Sequence, residues 1–201
     1  MRITIVLAVS VLSAWILLTS CSAAFASEND IGQSQIHPAH PFYFLKTIRE
    51  NLELKFAGTT RVTFIRRLEF ATRRLREVKS LTQIGNFELI IPTLEKYWLQ
   101  INSLPQKDIE DKEVVKMIQD NLVIHLDVLE RVYQKVENVR AKMAIRSAIN
   151  RLVQRADVPN YAKLPACNFL TKEASSSALN EVERIVLSDR AEDCFKSLRH
   201  L

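Results

Sequence analysis

Glycine and proline are scarce in this sequence, three and six in 201 residues. Tight turns draw on both, so a many-stranded, turn-rich β fold is excluded and long helices are expected. Cysteine is equally sparse, at three, which excludes a disulfide framework standing in for a hydrophobic core. Catalytic signatures are missing as well. There is no G-x-S-x-G or S-x-x-K nucleophile motif, no cysteine beside a base, no glycine-rich phosphate loop and no zinc signature. Of the four histidines, His37 and His40 lack the neighbouring ligands a metal site needs, and His200 sits at the terminus. His125 falls on an apolar stripe, where a lone polar residue sets register or finds a hydrogen bond. No catalysis, cofactor or metal is expected.

What is present is ordinary for a folded, water-facing protein: 47% hydrophobic and 25% charged residues. The net charge of +5 is concentrated between Pro41 and Leu104, where eleven Lys/Arg stand against six Asp/Glu. Such a bias suits an anionic partner.

The N-terminus narrows which anion. Arg2 precedes an apolar run from Ile3 to Leu18, and small residues then close the segment in the pattern of an export signal over residues 1–26. Two processing sites overlap. Leu18-Thr19-Ser20-Cys21 has the form of a lipobox, with Cys21 as the lipid attachment site; Ala24-Phe25-Ala26 is an A-x-A site that would release a chain starting at Ser27. An uncleaved anchor is the third option, although the run is shorter than the ~20 residues of a permanent span. An exported protein meets lipid headgroups or anionic wall polymers before it meets nucleic acid. Export also bears on the remaining cysteines: an oxidising compartment favours a Cys167–Cys194 disulfide over two buried thiols.

Residues 27–40 are polar and aperiodic and read as a tether. A first helix is expected from Pro41 to Phe56, with Leu45, Ile48, Leu52 and Phe56 on one apolar face. Gly58 ends it, and Thr59 or Thr60 caps a second, Thr60–Ile84, whose stripe is Phe64, Ile65, Leu68, Ala71, Leu75 and Val78. Glu69, Arg73 and Glu77 are spaced for an exposed ion-pair ladder. After the Gly85-Asn86 stop, a third helix covers Phe87–Leu104, with Pro92 kinking it or delaying its start. The fourth segment, Asp108–Ala156, has no glycine or proline and carries a seam of Val115, Ile118, Leu122, His125, Leu129, Val132, Val136, Val139, Met143 and Arg146. It reads as one long helix, straight or bent. Asp157–Ala166 holds two prolines and is expected as a loop, followed by a short turn from Asn168 to Ala174. A last helix is expected to start in the Ser175-Ser176-Ser177 cluster and run to Leu198, with Leu187, Ala191, Cys194 and Leu198 on one face.

Three stretches, Pro41-Phe42-Tyr43-Phe44-Leu45-Lys46, Glu50, and Ala71-Thr72-Arg73-Arg74-Leu75-Arg76-Glu77, resemble the bacterial domain of unknown function 5667. The resemblance covers 41–104. It implies an exported, all-helical domain and brings no catalytic residues. Arg73 and Arg74 have two uses under it: pairing with Glu50 to fix the helical hairpin, or contacting a partner.

Together these readings give an all-α helical bundle over 41–156, with a long fourth helix, and a disulfide-clipped C-terminal helix within 157–201. The functional expectation is a non-enzymatic, exported envelope protein. It would be tethered to the membrane by Cys21 or a retained signal and act as an interaction or scaffold module. The candidate interaction surface is Arg66, Arg67, Arg73 and Arg74, facing an envelope protein or an anionic surface. The alternative is a periplasmic chaperone-like or stress-sensing protein.

Overall fold

Seven α-helices follow one another in the computed structural model, which describes residues 31–106, 109–176 and 179–199. They are α1 (Tyr43–Lys55), α2 (Thr60–Gln83), α3 (Ile90–Asn102), α4 (Lys112–Lys135), α5 (Val139–Val153), α6 (Asn160–Ala174) and α7 (Glu181–Arg199). No strand occurs among the described residues, and the fold is an all-α bundle.

Local chemistry sets most boundaries. Thr59 caps α2 by accepting from the Val62 N–H at 3.2 Å. Gly85, at φ 71°, takes the left-handed conformation that lets the chain leave α2. Pro92 delays α3: a 3-10 turn at Phe87–Leu89 precedes it, so the proline sits in the first α turn, where its missing N–H has no partner to lose.

The long fourth segment is two helices. α4 ends at Lys135, and Asn138 caps α5 by accepting from the Ala141 N–H at 3.0 Å. Continuing the helix would bury the seam residues Val139 and Met143; both are exposed, and Ala141, Ile145, Ile149 and Leu152 are buried in their place. The break re-aims the apolar face. The start also moves: Asp111 caps α4 through the N–H groups of Glu113 and Val114, while Asp108 lies outside the described residues.

The expected loop at Asp157–Ala166 is mostly helix. Pro159 precedes the first turn of α6, and Pro165 lies inside the helix. The carbonyl that Pro165 cannot bond, four residues earlier, belongs to Tyr161, an exposed residue, so the lost helix bond falls on the solvent side of α6. α7 begins later than the serine cluster suggests. Its cap is a reciprocal box in which Asn180 Oδ1 accepts from the Glu183 N–H at 2.8 Å and Glu183 Oε2 accepts from the Asn180 N–H at 3.1 Å. Ser177 lies outside the described residues. Cys167 and Cys194 form the disulfide, with Cα atoms 5.6 Å apart. It therefore joins α7 to a helix, α6, rather than to a loop.

The core is one cluster running from Leu68, Ala71, Leu75 and Val78 of α2, through Ile90, Leu94, Tyr97 and Ile101 of α3 and Ile118, Leu122 and Leu129 of α4, into α5, α6 and α7. Two polar devices lie within it. His125 of α4 is fully buried between Thr72 of α2 (Nε2 to Oγ1, 2.9 Å) and Tyr97 of α3 (Nδ1 to Oη, 3.3 Å). The Thr72 hydroxyl donates to the Leu68 carbonyl at 3.0 Å, so the ring's Nε2–H donates to Thr72 and Nδ1 accepts from Tyr97. Burial pushes the imidazole down to about 3, so a neutral chain of hydrogen bonds ties three helices together. The second device is Arg155, 2% exposed, which chelates Asp157 at 2.9 and 2.7 Å and donates to the carbonyls of Ile101 and Leu104. It satisfies the C-terminal end of α3, where unpaired carbonyls concentrate negative charge.

Candidate interaction surface

The first helix meets the bundle through its polar side. Tyr43, Lys46 and Glu50 recur at helical spacing on the face of α1 turned to α2, and Glu50 is the one residue of α1 that is buried. Opposite them, α2 presents Arg73, Arg74 and Glu77. The Arg74 guanidinium, 4% exposed, bonds both oxygens of Glu50 from one amino group and reaches Glu77 (3.1 Å) and the Tyr43 hydroxyl from the other. Tyr43 donates to Glu77 Oε2 at 3.1 Å, and Lys46 closes on Glu77 Oε1 at 2.6 Å. Arg73 bridges Glu50 and Glu53, both at 3.4 Å. Burial, reinforced by the Glu77 charge, raises the Tyr43 phenol well above its usual range and keeps it a hydrogen-bond donor.

Of the two uses of Arg73 and Arg74, the structure shows the first: both are engaged with α1. These pairs also dissolve the expected surface ladder, because Glu77 is covered by α1 and pairs with Lys46 and Arg74 rather than Arg73; only Arg73–Glu69, at 3.8 Å, remains of it. The four candidate arginines divide. Arg74 is buried, Arg73 is largely covered, Arg66 is more open and pairs with Glu69 at 2.7 Å, and Arg67 reaches Gln100 at 3.4 Å. They do not share one open face. Cys21 lies outside the described residues.

The segment before α1 is held too. Of the stretch expected as a tether, Ser34 exchanges two hydrogen bonds with Ser80, both at 3.0 Å, and the Ile31 carbonyl accepts from Arg76. Between this segment, α1 and α2 lies a cleft of about 530 Å³ lined by Ser34, Phe42, Leu45, Lys46, Arg49 and Arg76 among others. Lys46 stands 3.1 Å from Ser34 Oγ, but it is ion-paired with the Glu77 carboxylate and also donates to the Ile36 carbonyl, and the serine donates to that same carbonyl. The pair is a strut, not a nucleophile and its base. His40 Nδ1 accepts from the Phe42 N–H at 3.2 Å, and no group of three or more His, Cys, Asp or Glu that could hold a metal is found among the described residues.

With its polar side turned inward, α1 presents its apolar side to solvent. Leu45 and Ile48 are each 52% exposed, Leu52 48% and Phe56 77%, and Phe42 and Phe44 join them. The periodicity in the sequence locates this face correctly, and the structure turns it outward. A signal for this orientation exists: Tyr43, Lys46, Glu50 and Glu53 form a second, polar stripe whose charges match Arg73, Arg74 and Glu77. Single exposed leucines are normal; four large apolar residues on one helix face, with Phe42 and Phe56 at its two ends, are a pattern that contact surfaces show.

A family model described as a domain of unknown function, number 5667, matches residues 35–139. The match is longer than the resemblance read over 41–104; it takes in α1 to α4 whole and ends at Val139, the first residue of α5. No curated protein and no solved structure matches the chain.

Proposed function

The chain belongs to the domain of unknown function 5667 family, and from that premise we propose that it is a non-enzymatic, exported protein of the cell envelope that works as a helical interaction module. The observation that carries this reading is the outward apolar face of α1, held in place by buried ion pairs on its other side. Ion-pairing fixes the helix while leaving its hydrophobic side free for contact. The sequence supports export through the signal-like residues 1–26 and tethering through Cys21. Among the described residues no helix is long and apolar enough to cross a membrane, so attachment would rest on the N-terminal segment and on surface contact.

The test is fractionation of the native producer combined with a photoreactive side chain at Ile48, and a control at exposed Lys172. The expected result is protein in the envelope fraction with an adduct at Ile48 and none at Lys172. Protein retained in the cytoplasm, or an envelope protein without an Ile48 adduct, would overturn the reading. The same apolar face favours one alternative, a chaperone-like protein that holds unfolded clients. That version predicts suppression of aggregation of unrelated clients at equimolar ratios, and an inert result there removes it.

A further inference from the structure

We infer that α1 is an interfacial helix whose outward face lies in the headgroup layer of an anionic lipid bilayer, an inference that rests on the envelope reading above. Three observations carry it. The outward face combines Phe44 and Phe56 near its ends with Leu45, Ile48 and Leu52 between them, the composition of a helix that lies in a membrane surface rather than across it.

The second observation is the placement of charge. Both carboxylates of α1, Glu50 and Glu53, are drawn toward Arg73 on α2. Of its three cations, Lys46 faces inward to Glu77, while Arg49 and Lys55 stay exposed. Arg49 pairs with Glu53 at 2.7 Å yet keeps a side chain 69% exposed. The apolar stripe is thus edged by two cations, which suits anionic headgroups. A second copy of the chain would bring the same two cations with it, and the carboxylate beside them, Glu53, is already shared between Arg49 and Arg73.

The third observation is the upstream sequence. The apolar run ends at Leu18, and Ile31 is fixed beside Arg76. Thirteen residue steps separate Leu18 from Ile31, a reach of at most about 45 Å when fully extended. A run or a Cys21 lipid seated in a bilayer therefore keeps α1 within range of that same surface. The contact adds to a first anchor rather than replacing it, in line with the rule that stable attachment takes two signals.

The test must separate contact at α1 from anchoring by residues 3–18, so it reads depth at one residue rather than total binding. The full chain carrying Cys21→Ser and Ile48→Cys is labelled with a fluorophore, the Cys167–Cys194 bond being left oxidised. It is reconstituted in vesicles of phosphatidylglycerol and phosphatidylethanolamine. Lipid-borne nitroxides should quench the Ile48 label several-fold more than a label at Lys172→Cys. Vesicles of phosphatidylcholine alone, or the added pair Arg49→Gln and Lys55→Gln, should lower that quenching several-fold. An Ile48 label left open to a water-borne quencher in the vesicles would overturn the inference. So would a label already shielded before vesicles are added, because another copy or residues 3–18 would then cover the face. Lipid quenching indifferent to headgroup charge would overturn its anionic part. All three outcomes leave the fractionation result standing, so failure here is distinguishable from failure of the envelope reading.

Discussion

α4 meets the rest of the protein through Val114, Ile118, Leu122, Leu129 and Val132, while α1 meets it through Tyr43, Lys46 and Glu50. Each helix has an apolar and a polar side, and each turns a different one inward. For α4 the hydrophobic effect decides, since burying those side chains removes a large apolar area from water. For α1 the partner decides. The stretch of α2 that faces it carries Arg73, Arg74 and Glu77, which cannot be covered by leucines without leaving charges buried and unpaired. A helix can thus be docked by its charges when its partner's surface is charged, and its apolar side becomes available for something else.

The comparison can be broken first at Arg74. Arg74→Met keeps the side-chain volume but leaves Glu50 and Glu77 short of their shared cation, and unfolding in urea should show a loss of about 3–5 kcal/mol, the scale for one partner removed from a buried pair. Adding Glu50→Gln should recover part of that loss. A neutral Arg74→Met would mean that α1 is not held by its charges. α7 offers a third kind of attachment, apolar contact through Leu187, Ala191 and Cys194 plus a covalent bond across 27 residues. Reducing that bond should lower stability by about 3–4 kcal/mol on the loop-entropy scale, which the shift in urea midpoint with reductant measures. In α4, Leu122→Ala should cost about 3 kcal/mol, because Leu122 is fully buried and its loss leaves a cavity in the core.

The neutral histidine sharpens the contrast between charged and uncharged polar contacts. His125 has its folded value held at about 3, below its ordinary 6.5, so the unfolded chain binds the extra proton between those limits. Its contribution is complete above about pH 6.5 and is lost as pH falls toward 3. Between pH 7 and about pH 5 the loss should be roughly 2 kcal/mol. Comparing urea midpoints of wild type and His125→Leu over that range isolates the effect, and the variant should show a flatter acid slope. Equal slopes would place the titration elsewhere.

Much of this architecture is legible in the sequence where one rule acts alone. Thr59, the Gly85-Asn86 pair and the stripe from Leu68 to Val78 give α2 nearly to the residue. The Cys167–Cys194 bond follows from pairing the two cysteines beyond the signal-like segment, on the expectation of export read from residues 1–26. Where two rules compete, the reading fails in identifiable ways. The seam through Val136 hides the break at Asn138, because an N-cap asparagine inside an apolar repeat is outweighed by the repeat. Pro159 and Pro165 mask α6, although one precedes the helix and the other frees only the carbonyl of an exposed residue, Tyr161. Arg155 has one local partner, Asp157, but its role at the end of α3 leaves no local trace, since Ile101 and Leu104 are some fifty residues away. At the candidate surface, the pairing of Glu50 with Arg74 is readable from charge. The consequence, that Leu45, Ile48 and Leu52 must then face outward, requires choosing the polar stripe of α1 over its apolar one.

The most direct measurement of the central claim is the folding stability of the triple variant Leu45→Gln, Ile48→Gln and Leu52→Gln in lipid-free solution. Glutamine keeps helix propensity close to that of leucine, so the comparison reports burial. With the apolar side of α1 facing out and the charged side holding it, unfolding free energy should stay within about 1 kcal/mol of the wild type. A loss of several kcal/mol, on the scale of Leu122→Ala, would show that these three side chains are core and would contradict the account.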